Sequence, residues 1–178
     1  MSYPGVVVIE YDPRWPARFD EERRRLQEAL GSWAIAIEHV GSTAVPGLGG
    51  KPIIDIMVGV RGLGSALEGC LGPLQSIGYE YVPTQGIVDR RFFQRGMWPM
   101  HTHHLHLAEF GGVTWQDYVR FRDHLRAHRE VARRYLELKR RLAASPGIDR
   151  PAYSAAKGPF IGDVLAGLAT ARSALGRG

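Results

Sequence analysis

Asp55 interrupts the apolar run Ile53-Ile54-Asp55-Ile56-Met57-Val58, a place where burying a charge without a partner is costly. Upstream lie Gly41-Ser42, then a loop rich in Gly and Pro that ends at Lys51. A glycine in such a turn lets backbone N–H groups approach a phosphate closely, and the Ser42 hydroxyl adds a donor. Lys51 adds positive charge near the start of the Asp55 strand. On an extended strand Ile53, Asp55 and Met57 share one face, which is expected to line a cleft. His104 and His106 alternate with Leu105 and Leu107, so both rings leave one face of a second strand, suited to a transition metal or to a phosphate. Arg91, Phe93 and Arg95 also share a face, and Arg91 is a candidate grip for a phosphate. Lys157, in Tyr153-Ser154-Ala155-Ala156-Lys157, is a weaker candidate of the same kind.

The elements that must carry these groups follow from periodicity and punctuation. Val6 to Glu10 reads as a short buried strand. Pro16 opens a helix that Gly31 closes. Ala34 to Val40 and Ile53 to Val60 read as strands on either side of the Gly-rich loop, and Leu63 to Ile77 as a helix weakened by Gly69, Gly72 and Pro73. Tyr79 to Pro83, Arg90 to Gly96 and His103 to Phe110 read as three more strands, with Gln85 to Asp89 linking the first two. Beyond Thr114 the pattern is helical: Tyr118, Phe121, Leu125, Ala132, Tyr135, Leu138 and Leu142 recur at three- and four-residue steps. Ser145 to Pro151 breaks that stripe, and a last helix runs from about Tyr153 to Leu175. Trp15 and Trp33 read as core fillers.

The chain has 178 residues, 44% hydrophobic and 23% charged, which fits one globular domain over 1–178. The fold class expected is α+β, a mixed sheet flanked by helices. No apolar run is long enough for a membrane span, and the N-terminus lacks the pattern of a secretory signal. Cys70 is the only cysteine, which excludes a disulfide framework and points to a reducing cytoplasm. The net charge of +5 is concentrated between Val119 and Leu142, where nine Lys or Arg face three Asp or Glu. A solvated helix face explains this better than a nucleic-acid partner, which would require more than one basic helix.

The Gly-Ser turn followed at this spacing by a strand carboxylate resembles the signature of nucleotidyltransferase-fold enzymes. In that pattern the turn holds a triphosphate, and two carboxylates in Asp-x-Asp or Asp-x-Glu hold divalent metal. Here Met57 stands at the second position, and a thioether is a poor ligand for a hard cation. His104-Leu105-His106-Leu107 touches the histidine-triad hydrolase pattern but continues into Ala108, which rejects it. Over nearly the whole chain, in order, Glu10–Leu26, Ile37–Val58, Arg90–Phe93, His103–Leu107, Phe121–Ala143 and Tyr153–Ile161 resemble the GrpB family. The resemblance implies a nucleotidyltransferase-like fold and places the family's turn on Gly41 and Ser42, its strand acid on Asp55 and its paired histidines on His104 and His106. Members joined to dephospho-coenzyme A kinase point loosely to nucleotide or coenzyme A metabolism. Family members often carry Pro where this chain has Arg129, so one helix is expected to run through that point.

Asp55 is therefore expected either to meet a cation, with His104 and His106 as co-ligands for Zn²⁺ or Mn²⁺ ahead of Mg²⁺, or to pair with Arg91 or Lys51 in a structural salt bridge. Two functions follow. One is nucleotidyl or phosphoryl transfer onto a small acceptor, assisted by metal at Asp55, the catalytic residue, and at the histidines. The other is a non-catalytic nucleotide-binding or regulatory module on the same fold. In both the partner is a nucleotide or a phosphorylated small molecule. The oligomeric state is left open.

Overall fold

The computed structural model describes residues 6–84, 87–97 and 100–175, with side chains up to residue 170. Helix α1 (Trp15–Leu30) has Pro16 in its first turn and ends at Gly31, whose φ of +50° favours glycine. Strand β1 (Ala36–Val40) leads through a single 3₁₀ turn at Ser42–Ala44 and a loop into β2 (Ile54–Val60). Helix α2 (Leu63–Ser76), strands β3 (Tyr79–Val82), β4 (Arg90–Arg95) and β5 (His103–Glu109) follow. The chain then continues as α3 (Val113–Ala127), α4 (Arg129–Ala143), α5 (Arg150–Ala156) and α6 (Gly158–Leu175). The link expected over Gln85 to Asp89 lies partly outside the described residues.

The five strands form one mixed sheet in the order β1-β2-β5-β4-β3. Its central pair, β2 and β5, is parallel, and every other pair is antiparallel. This is the α+β architecture expected from the sequence. One face of the sheet presents Ile54, Ile56, Val58, Leu105, Leu107 and Phe93 to Trp15, Leu26 and Leu30 of α1 and to Leu74 of α2. Each of these side chains contributes about 1.5–3 kcal/mol by leaving water, so this face is the principal core. The opposite face is covered only in part. Val40, Met57 and Ala108 are sealed there beneath Trp115 and Tyr118 of α3. The Arg122 guanidinium fastens α3 to β1, donating to Glu38 Oε2 at 2.6 Å and to the His39 carbonyl at 3.0 Å.

Four expectations are corrected. Val6 to Glu10 does not form a strand; Ile9 makes a single bridge to Gly50, because this stretch lies beside a loop rather than a sheet edge. Trp33 is 40% exposed and packs its ring closely on Gly69, so it is a cover and not a core filler. The helix expected to run through Arg129 breaks at His128, whose φ of −124° and ψ of 86° are non-helical, while its Nδ1 hydrogen-bonds the His124 carbonyl at 2.9 Å. The last helix is divided at Lys157 into α5 and α6.

Candidate functional site

The uncovered part of the α3 face is where the Gly-Ser turn meets the sheet. Asp55 pairs in register with Val40 on one side and His104 on the other, so alternation sends its carboxylate to the same face as Met57 and His104. His104 Nδ1 lies 3.1 Å from Asp55 Oδ1. Burial alone would push the Asp55 carboxyl up, but the His104 hydrogen bond and the nearby Lys51 ammonium hold it down at about 2. Asp55 is thus ionised throughout the neutral range and fixes the proton of His104 on Nδ1. In the neutral ring Nε2 is left as the acceptor.

Gly41 seats the turn directly on this carboxylate. Its φ is +71°, and a Cβ added there would sit 2.4 Å from Asp55 Oδ2. On the other face, His39 hydrogen-bonds Thr43 Oγ1 at 2.9 Å and stacks on Phe19, which fixes the turn from beneath.

A cluster of lysines closes the site. Lys139, on α4, is 2% exposed; its Nζ donates to Ser42 Oγ at 2.9 Å and to the Gly49 carbonyl. Lys51 and Lys157 place their ammoniums 5.8 Å and 4.7 Å from the centroid of the Tyr153 ring. Burial pulls Lys139 down to about 7, with the Lys157 charge adding to the effect. Burial likewise pulls Lys157 to about 8, with Lys51 adding to it, and lowers Lys51. The Tyr153 hydroxyl is buried and has no hydrogen-bond partner among the described residues.

Of the groups expected from the sequence, Gly41, Ser42, Lys51, Asp55, His104 and Lys157 therefore gather at one place. Two do not join them. His106 is committed elsewhere: its Nδ1 takes a 2.5 Å contact from Arg90, and its ring stacks on Phe92 at 5.1 Å and packs against Tyr118. Burial, with the Arg90 charge, holds it near 3 and hence neutral. Among the described residues no three His, Cys, Asp or Glu side chains come together as metal ligands. The arrangement therefore does not fit the expected Asp55–His104–His106 metal site. Arg91 is in register with Leu107 and so belongs to the opposite face, where its guanidinium donates to the Val88 and Arg90 carbonyls. Arg90, one residue earlier, is the arginine on the Asp55 face. Lys139 was missed by the sequence reading because it falls in a basic helix. The signal was its four-residue spacing from Tyr135, which puts it on the inward stripe. A separate groove of about 750 Å³, lined by Leu48, Arg126, Arg129 and Leu136, takes in none of these groups.

The buried lysine has a measurable consequence. Because its folded value lies below the unfolded one, the unfolded chain binds more protons, and stability rises with pH. This contribution is complete above the unfolded lysine range and is withdrawn as pH falls toward about 7. Between about pH 7 and pH 8.5 it is expected to add about 1–2 kcal/mol. That window stays below the range where Cys70, pushed up to about 11 by burial, acts in the opposite sense. Urea titrations should show the rise in the wild type and about a third of it in Lys139→Met, since Lys157, at about 8, persists. Identical slopes in the two proteins would mean that Lys139 is not held low.

Comparison with known proteins places the chain among relatives. A family model described as GrpB protein matches residues 5–166. A UPF0157 protein of Bacillus subtilis is 40% identical over 139 residues, which cover 78% of this chain and 40% of the relative. A dephospho-CoA kinase of Mycolicibacterium paratuberculosis is 30% identical over 182 residues, covering 89% of this chain and 44% of the relative. The chain thus spans less than half the length of each of these two curated relatives. Among solved structures, a conserved protein GrpB from Enterococcus faecalis superposes with a TM-score of 0.79 at 33% identity, covering 89% of this chain and 94% of that one. A GLD-2/RNP-8 complex superposes with a TM-score of 0.54 at 14% identity over 74% of this chain and 54% of that one, a likeness of fold alone. No helix among the described residues is long and apolar enough to cross a membrane.

Proposed function

The chain belongs to the GrpB family, and we propose that it binds a nucleotide or another phosphorylated small molecule between the Gly41–Ser42 turn and the lysines. The observation that carries this reading is the gathering of Lys51, Lys139 and Lys157 around a turn that opposes a single ionised carboxylate, Asp55. Such a cluster can set three positive charges against one negative, and phosphate oxygens are the anions that a Gly-Ser turn and ammoniums accept together. The fold, which is distantly similar to that of nucleotidyltransferases, agrees with this ligand class. The buried Cys70 thiol fits a reducing cytoplasm as the place of action.

A second reading, group transfer, is favoured by the Asp55–His104 pair. A carboxylate that holds Nδ1 of an imidazole leaves Nε2 to take a proton from an acceptor hydroxyl while the lysines stabilise charge on the departing phosphate. This reading routes no step through a metal.

A thermal-shift panel of ATP, CTP, GTP, UTP and coenzyme A, with and without Mg²⁺, Mn²⁺ or Zn²⁺, tests both. A ligand held at 100 times its dissociation constant stabilises the folded state by about 2.7 kcal/mol. At least one member is expected to raise the melting temperature, and Asp55→Ala is expected to retain that shift if the protein only binds. Turnover of the same ligand with an acceptor, abolished in both Asp55→Ala and His104→Ala, would establish transfer. A panel without any shift would remove the binding reading.

A further inference from the structure

We propose that Lys51, Lys139 and Lys157, with the Tyr153 hydroxyl and Ser42, form a site for a condensed phosphate, a di- or triphosphate chain, that is neutralised by ammoniums without a divalent cation. The inference rests on the reading that the ligand is phosphorylated, and it names both the ligand's charge class and how that charge is met.

Three lysines gather opposite one carboxylate in a largely buried setting, and with Lys139 at about 7 and Lys157 at about 8 they carry their full positive charge together only when an anion holds the protons on them. Like charges held this close repel one another, and only an anion relieves all three together. A ligand with a single negative charge would leave the cluster positive, whereas a phosphoanhydride chain spreads several charges over a length that separate ammoniums can share. Tyr153 supplies an independent observation. Its side chain is 1% exposed, and its hydroxyl, without a partner among the described residues, lies on the ring that Lys51 and Lys157 approach. A buried O–H without a partner is rare and is most simply completed by a bound acceptor.

The second carboxylate that a magnesium-loaded triphosphate would need is not there: Met57, fully buried, stands in its place. The ammoniums stand in for the cation.

Anion binding at such a cluster also moves protons. Lys139, at about 7, faces Ser42 and the Gly49 carbonyl on the turn side, Tyr135 and Arg140 on its own helix, Lys157 beside it and Asp55 across the site. Of these, Asp55 is the one anion. A bound polyphosphate adds negative charge and draws a proton onto the lysines.

Isothermal titration calorimetry on the intact protein at pH 8 tests this, with sodium pyrophosphate and tripolyphosphate as probes and orthophosphate and sulfate as comparisons. Each titration is run in EDTA and again with Mg²⁺, in two buffers of different ionisation enthalpy. The condensed phosphates are expected to bind in EDTA at least about tenfold more tightly than orthophosphate or sulfate, with net proton uptake. Lys157→Gln is expected to weaken binding about tenfold or more, since a hydrogen bond to a charged group is lost. Tyr153→Phe keeps the ring that packs the lysines and is expected to weaken binding severalfold without altering the fold. Binding that appears only with Mg²⁺ would overturn the metal-free site and leave the nucleotide-binding reading standing. Equal affinity for sulfate, or no effect of Tyr153→Phe and Lys157→Gln, would overturn the site as drawn. No binding of any phosphate or nucleotide under any condition would overturn both.

Discussion

Met57→Asp, which restores the second carboxylate of an Asp-x-Asp pair, is expected to lose about 3–5 kcal/mol of stability and to gain no metal dependence. Met57 is fully buried between Val40 and Ala108 and beneath Trp115 of α3. A carboxylate there would be desolvated in register with Glu38 on β1 and would lie two residues from Asp55 on the same face of β2, so repulsion adds to desolvation. The site can respond only by protonating the new acid or by lifting α3, and α3 is anchored by Arg122 to Glu38 and the His39 carbonyl. Since a domain of this size is stable by about 5–15 kcal/mol, the loss is a large fraction of the total and should move the urea midpoint far below that of the wild type. Met57→Leu, which conserves volume, should stay within about 1.5 kcal/mol of the wild type. Urea denaturation reads the stabilities, and a thermal shift with Mg²⁺ or Mn²⁺ reads any metal gain. A folded Met57→Asp protein that Mn²⁺ stabilises would mean α3 moves aside and the position still belongs to the cleft. The expected result instead makes the departure from Asp-x-Asp a matter of architecture: the residue has become part of the packing that holds α3 on the sheet.

The same residue shows what was legible beforehand. Strand alternation correctly put Asp55 and Met57 on one face, and His104 and His106 on one face of the neighbouring strand. It did not tell that α3 would cover the Met57 half and leave the Asp55 half open, because coverage depends on where a distant helix docks. Arg91 and Arg90 differ in the same way. The strand was readable, but its phase is set by the pairing of Phe92 with His106 and Phe93 with Leu105 in the β4–β5 hairpin, which no local pattern encodes. Glycine and proline marked the α1 ends and the turn, since those residues act through their own backbone. The break at His128 has no such marker and rests on its contacts with His124. Lys139 is the most instructive miss. A lysine among nine Lys and Arg spread between Val119 and Leu142 looks like solvent-facing charge, and only its step of four from Tyr135 sets it apart. Its destination, the Ser42 hydroxyl, lies 97 residues away in sequence.

Gly41 is the residue on which this close approach depends, and Gly41→Ala is expected to cost about 3 kcal/mol, more than half of it from the backbone. With φ at +71° and ψ at −170°, Gly41 occupies a region that is essentially glycine-only, where other residues are strained by about 1–3 kcal/mol. The rest comes from contact. The added Cβ would meet Asp55 Oδ2 at 2.4 Å and Asp55 Cβ at 2.9 Å, and the latter atom is fixed by the strand. Either the turn rises off the sheet or the carboxylate rotates away from His104 Nδ1. The two terms can be separated with Gly47→Ala. Gly47 has a comparable φ of +78°, but its Cβ would meet nothing within 4 Å. Gly47→Ala should therefore show the backbone strain alone, about 1–2 kcal/mol, and leave the site intact. Urea titrations give the difference in stability, and the ¹⁵N signature of the His104 ring reports whether Nδ1 still carries its proton toward Asp55. If Gly41→Ala is no less stable than Gly47→Ala and His104 keeps its tautomer, the turn is not pressed onto Asp55. The carboxylate, the imidazole and the lysine-held serine would then be separate features rather than one site.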